Sequence, residues 1–159
     1  MSRWKLTLEY DGGAFVGWQR QLNGLSEQEV VEDAIFAFCG ARVTTHSAGP
    51  TDAGVHALGQ VAHFDLEKPT DADTVRDAVN FHLRVHKVTV RAVQQVDADF
   101  HARFSAIQRV YLYRILDRRP PPALERGRVW WVTRPLDAAA MADAAAVLPG
   151  KHDFSTFRA

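Results

Sequence analysis

An α+β fold, built on an antiparallel split βαβ sheet with helices on one face, is what the first hundred residues predict. Three observations carry this expectation. Trp4–Tyr10 (WKLTLEY) alternates apolar and polar residues, the period of a half-buried strand, and Asp11-Gly12-Gly13 ends it with a turn signal. Ser26 followed by Glu29 forms a capping box that opens a helix. Strand and helix signals then follow in the order strand–helix–strand–strand–helix–strand, the ferredoxin-like pattern.

The elements follow in turn. The first helix runs to about Cys39, with Val30, Ala34, Ile35 and Phe38 on one face and Gly40 as its stop. Val43–Ala48 reads as a short strand, then a loop, then Gln60–Leu66 (QVAHFDL) as a strand. Thr70 or Asp71 caps a second helix through about Phe81, and Val88–Val96 is a further strand. The sheet is expected to be extended by more strands and a C-terminal helix. Val110–Leu116 (VYLYRIL) alternates, Pro120-Pro121-Pro122 breaks the chain, and Val129–Val132 is expected to pair back. Asp137 caps an alanine-rich helix to Leu148, closed by Pro149-Gly150. A first domain of 1–106 and a strand–helix extension of 107–159 follow from this order. The tail Lys151–Ala159 has no capping sequence and is expected to be either a chain cut short of a second domain or a frayed native terminus.

Composition bounds the function. With 47% apolar and 24% charged residues the chain has the means to build a core and is not a disordered polymer. Its single cysteine, Cys39, excludes an intramolecular disulfide and suits a reducing cytoplasm. No apolar segment reaches membrane-spanning length and the N-terminus lacks a signal-peptide core, so a soluble cytoplasmic protein is expected. The formal net charge is zero, but residues 101–134 hold 8 arginines against 2 acids. Such asymmetry suits a basic face for phosphates, and an arginine fork suits bidentate contact; a solvated surface accounts for it equally well.

The loop Gly49-Pro50-Thr51-Asp52-Ala53-Gly54-Val55-His56 lies between two strands. Its small flanking residues let backbone approach a ligand closely, with Asp52 held at a strand end as a nucleophile or general base. The same residues also allow an Asx-type turn, with the Asp52 carboxylate bonded to nearby N–H groups. Other chemistry has less support. His82 and His86 are spaced i, i+4 without a completing ligand, so no metal is expected. Asp52 and His56 lack a serine or cysteine in a nucleophile elbow, and Gly12, Gly13 and Gly17 do not have phosphate-loop spacing.

Four collinear blocks sharpen the reading: Tyr10-Asp11-Gly12 with Gly17-Trp18-Gln19-Arg20-Gln21; Thr51–Ala57 followed by Gly59–Phe64; Asp99–Ala106 with Arg109, Tyr111 and Tyr113; and His152–Arg158. On these the chain resembles the TruA-type tRNA pseudouridine synthase family, in its N-terminal portion. The resemblance implies isomerisation of uridine to pseudouridine in tRNA, in the anticodon arm, without metal or organic cofactor. It implies that Asp52 is the catalytic carboxylate and Tyr111 the active-site tyrosine, with Thr51, His56, Arg20, Arg103 and Arg109 in substrate binding. It also implies a homodimer, and a basic partner for the aspartate from the family's second half. Acting on a base requires extruding the nucleotide from its stack, and an aromatic surface then holds the turning base.

The pattern departs from the family at Pro50, where the family has arginine. Proline offers no donor or charge, fixes φ and biases Gly49 toward an extended backbone. Val85 stands where the family has proline. A short, Pro50-bearing chain is therefore expected to be a weakened enzyme. The alternative is a non-catalytic RNA-binding or dimerisation module that keeps the fold.

Overall fold

The alternation at the N-terminus becomes the centre of a sheet in a computed structural model that describes residues 1–157. β1 (Ser2–Tyr10) buries Trp4, Leu6, Leu8 and Tyr10 on one face and presents Arg3, Lys5, Thr7 and Glu9 on the other. It pairs antiparallel with β3 (Ala57–Leu66) on one side and β4 (Val88–Val96) on the other. β2 (His46–Ser47) adds to the outer edge of β3, giving the order β2-β3-β1-β4. This is the expected ferredoxin-like arrangement. Its core lies between the sheet and the helices α1 (Glu27–Cys39) and α2 (Ala72–Leu83). Val30, Val31, Ala34 and Ile35 of α1 and Val75, Val79 and Leu83 of α2 close over the Trp4–Tyr10 face. Each fully buried aliphatic there stabilises the fold by roughly 1.5–3 kcal/mol.

The caps act as the sequence suggests. Ser26 Oγ accepts from Glu29 N at 3.2 Å, and Gly40 ends α1 in a left-handed conformation. Asp71, not Thr70, caps α2, accepting from Thr74 N at 2.9 Å, and the helix runs two residues past Phe81 to Leu83. His86 therefore lies beyond α2, off the face that an i, i+4 pair would share.

The expected strand Val43–Ala48 is corrected to two residues. Side chains of α1 take the backbone groups that a longer ladder would need. Glu32 accepts from Thr45 N at 2.8 Å, and Gln28 donates to Thr45 O at 3.1 Å. A backbone group satisfied by a side chain has no call on a neighbouring strand.

Glu27, the first residue of α1, is fully buried, and neither carboxyl oxygen has a hydrogen-bond partner among the described residues. Burial pushes its pKa up. The folded state thus holds this proton longer than the unfolded chain, so Glu27 costs stability once pH exceeds the unfolded carboxyl value. Glu27→Met is expected to stabilise the protein by about 1–3 kcal/mol at pH 7 and by less at pH 4. Urea unfolding at the two pH values measures this, and a destabilised Met variant would reveal a carboxyl contact on which the helix start depends.

Contacts divide the chain into two units, Met1–Val110 and Tyr111–Ala159. The second holds β5 (Ile115–Asp117), β6 (Trp130–Val132) and α3 (Ala138–Ala145). The expected strand Val110–Leu116 is shortened to β5, since an alternating pattern fixes faces but a ladder needs a partner, and β6 pairs only Ile115–Asp117. That pairing is parallel, with Trp131 Nε1 donating to Arg118 O at 2.8 Å across the intervening loop. Asp137 caps α3 as expected, through Ala140 N at 2.9 Å, but the helix ends at Ala145 rather than Leu148. No described residue of this unit is buried. No described helix is long and apolar enough to cross a membrane.

Candidate active site

Backbone packs on backbone around Asp52. β1 leads into a short 3-10 turn, Gly12–Ala14, capped by Asp11, and the chain then passes alongside the Asp52 loop. Trp18 N donates to Thr51 O at 2.9 Å, and Gly17 forms an antiparallel bridge with Asp52. Gly17 has φ +114°, and a Cβ there would stand 2.8 Å from Thr51 O. A Cβ on Gly12 would fall 2.1 Å from Val55 O. Only glycine permits either approach.

Side chains hold the loop from beneath. The hydroxyls of Tyr10 and Thr51 share a hydrogen bond of 2.8 Å. Gln60 Nε2 donates to Gly49 O at 2.6 Å and reaches Tyr10 Oη at 3.4 Å. A register shift in the β1–β3 ladder between Leu8 and Tyr10 brings Gln60 to this position. At the far end of the loop, His56 Nδ1 lies 3.1 Å from Gly12 N and 3.1 Å from Asp11 Oδ1. Asp52 and Val55 close a turn through Val55 N and Asp52 O at 3.2 Å.

The Asp52 side chain is exposed, and its carboxylate has no hydrogen bond or ion pair among the described residues. The Asx-type turn that the residues alone allowed is therefore not formed. A carboxylate on a braced loop with free lone pairs suits attack or proton transfer.

Thr51 and His56 stand with Asp52 on this loop. Arg20 is held against α1, with Glu29 at 3.5 Å and Glu32 at 3.6 Å, and its backbone N donates to Gln28 Oε1 at 3.1 Å. Arg103 is exposed, and its guanidinium has no partner among the described residues. Arg109 donates from Nε and Nη2 to Ala48 O at 3.0 and 2.7 Å. Tyr111 opens the second unit, exposed and outside any strand. Within that unit Arg114 pairs with Glu125 and Arg118 donates to Pro120 O, so part of the arginine cluster is structural. The fourth block extends to Arg158, outside the described residues. The sequence placed Tyr10 and Gln60 in strands and in the motif blocks but gave neither a role in supporting the loop. Their signal was a tyrosine and a glutamine at strand ends beside the Asp52 loop.

On the sheet face away from the helices, His46, His63 and His101 meet in ring contact, at 5.1 Å between His46 and His63 and 4.7 Å between His63 and His101. Together with Arg3 and Arg42 they line a cavity of about 360 Å³. No group of three or more metal-ligating side chains is placed to hold an ion among the described residues. Burial, with the nearby charges of His101, Arg3 and His46, lowers the His63 pKa to about 4. Its Nδ1 accepts from Ala102 N at 3.2 Å, a bond that protonation at Nδ1 would break. Between pH 6.5 and about 4 the unfolded chain binds this proton and the folded protein does not, so stability falls as pH falls through that window. The loss attributable to His63 is about 2–3 kcal/mol, and His63→Gln is expected to remove it. Urea midpoints of both proteins from pH 7 to pH 4 test this; parallel curves would exclude His63 as the titrating group.

Comparison with known proteins adds to this geometry. A family model described as tRNA pseudouridine synthase matches residues 7–105. The tRNA pseudouridine synthase A of Rhodospirillum centenum is 60% identical over 159 residues, covering 100% of this chain and 65% of the relative. Those of Paramagnetospirillum magneticum and Rhodospirillum rubrum are 58% and 55% identical over 159 residues, with 62% and 57% of the relative covered. The chain spans about three fifths of the length of the curated relatives it matches.

Proposed function

From the premise that this chain belongs to the tRNA pseudouridine synthase family, we propose that it supplies the catalytic carboxylate for isomerising uridine in tRNA, within the anticodon arm. The observation that carries the reading is Asp52: an exposed carboxylate with no protein partner among the described residues, on a loop braced by backbone and by Tyr10, Thr51 and Gln60. With the uridine flipped out, Asp52 attacks the ribose or promotes loss of the base. The N1–C1′ bond breaks, the uracil turns, and a C5–C1′ bond forms as C5 releases its hydrogen as a proton and N1 takes one up. No atoms are gained or lost, so the reaction needs no oxidant or group donor. Tyr111 is the proposed aromatic surface for the turning base, and Arg103, whose guanidinium has no partner among the described residues, a phosphate contact.

The working form is proposed to be a cytoplasmic homodimer, with a basic residue from the part of the relatives this chain does not span facing Asp52. In support, Tyr111, Leu112, Tyr113 and Trp130 are all exposed, large apolar side chains of the kind that burial against further protein would cover. Tritium release from tRNA labelled at uridine C5 tests the activity. The enzyme would be this chain continued by the remaining segment of the R. centenum relative. Release above background supports the proposal, and none from a folded, tRNA-binding protein contradicts it.

Pro50 is exposed, between Gly49, whose carbonyl Gln60 holds, and Thr51, whose hydroxyl Tyr10 holds. Pro50→Arg in that continued protein is expected to tighten tRNA binding by about tenfold to a hundredfold, since one charge-assisted contact contributes about 1.5–3 kcal/mol. The substitution costs about 0.4–1 kcal/mol of stability through the unfolded chain. Titration at fixed salt measures it; unchanged affinity would show that position 50 does not reach the RNA.

A further inference from the structure

Arginines of an RNA-modifying protein invite assignment to phosphate, and Arg109 has the required charge. Its geometry points elsewhere. Nε and Nη2 both donate to Ala48 O, at 3.0 and 2.7 Å, and Nη2 also donates to Arg103 O at 3.0 Å. A guanidinium has two edges that offer a pair of parallel donors, and Nη2 belongs to both. With both Nη2 hydrogens engaged on carbonyls, no bidentate fork for phosphate remains. No carboxylate pairs with Arg109 among the described residues either, so its charge acts on backbone dipoles alone.

The carbonyl it holds stands at a junction. Ala48 N donates to Val61 O at 2.7 Å, beyond the last paired residue of β2, and the Asp52 loop begins at the next residue. The ladder leaves Ala48 O without a strand partner, and Arg109 supplies one. Gln60 takes the following carbonyl, Gly49 O. Two successive carbonyls ahead of Pro50 are thus fixed by side chains, while Trp18 and Tyr10 fix Thr51 beyond it. We infer, on the reading of Asp52 as the reacting carboxylate, that Arg109 is a positioning residue: it clamps the entry of the Asp52 loop through Ala48 O and does not contact RNA.

The test is residue-resolved amide hydrogen exchange on the 159-residue chain, which needs neither RNA nor turnover. Trp18 N and Val55 N report the loop, because they donate to Thr51 O and Asp52 O. In Arg109→Ala their exchange is expected to rise about tenfold, the loss of one charge-assisted contact, while amides of β1 and β4 keep their rates. Arg109→Lys, a point charge without the fork, is expected to fall between. Unchanged exchange at both amides would overturn the inference in favour of a surface arginine. A uniform rise across the sheet would overturn it in favour of a general contribution to stability. Asp52→Asn separates the two readings: isomerisation surviving that change would remove Asp52 from the chemistry, whereas the Arg109 exchange pattern stands or falls by itself.

Discussion

In this chain continued by the remaining segment of the R. centenum relative, and on the proposed function, Gly12→Ala is expected to reduce uridine isomerisation by about a hundredfold or more while leaving the sheet folded. The added methyl would sit 2.1 Å from Val55 O and 2.7 Å from Val55 C, both backbone atoms that no rotamer change can move aside. One of the two segments must shift by about 1 Å, and a displacement of that size at a reacting group costs on the order of 10² in rate. Gly12 N also donates to His56 Nδ1 at 3.1 Å, so the shift loosens the far end of the loop as well. Overpacking here should cost about 1–3 kcal/mol of stability, within reach of a folded protein. Gly13→Ala is the matched control, since its nearest contact is the flexible Asp11 carboxylate at 3.2 Å. Turnover and urea midpoints of both variants decide it. A Gly12→Ala protein with undiminished turnover would mean that the Asp52 loop does not depend on this backbone contact.

Much of this molecule was legible in its sequence because local rules and burial agree. The alternation of Trp4–Tyr10 fixed which side chains enter the core, and Ser26 and Asp71 marked helix starts that the caps confirm. The α+β class and antiparallel sheet followed from element order. What was not legible is long-range competition for backbone groups. Thr45 reads as a strand residue, and only the fold reveals that Glu32 and Gln28 of α1 have taken its N–H and carbonyl. The role of Gly12 is hidden in the same way, because its neighbour Val55 lies far along the chain and a Gly-Gly pair reads simply as a turn. The grip of Arg109 on Ala48 O is hidden too, because the charge is visible in a sequence and the carbonyl it holds is not. Asp52 stood out through its loop motif, yet the residues alone left an Asx turn open, and only the unpaired carboxylate favours a chemical role.

That role is tested most directly by Asp52→Asn. Asparagine keeps the size and shape of the side chain but is a far weaker nucleophile and base. The carboxylate is exposed and makes no hydrogen bond or ion pair among the described residues, so the substitution should change stability by no more than about 0.5 kcal/mol. The backbone bridge to Gly17 and the Val55 N–H bond do not involve the side chain and should persist. Tritium release from C5-labelled tRNA, measured on this chain continued by the remaining segment of the R. centenum relative, gives the comparison. The account predicts release by the Asp52 protein and a drop of at least about 10³-fold in Asp52→Asn, roughly 4 kcal/mol of transition-state stabilisation, with the urea midpoint unchanged. Release by Asp52→Asn at a comparable rate would contradict it.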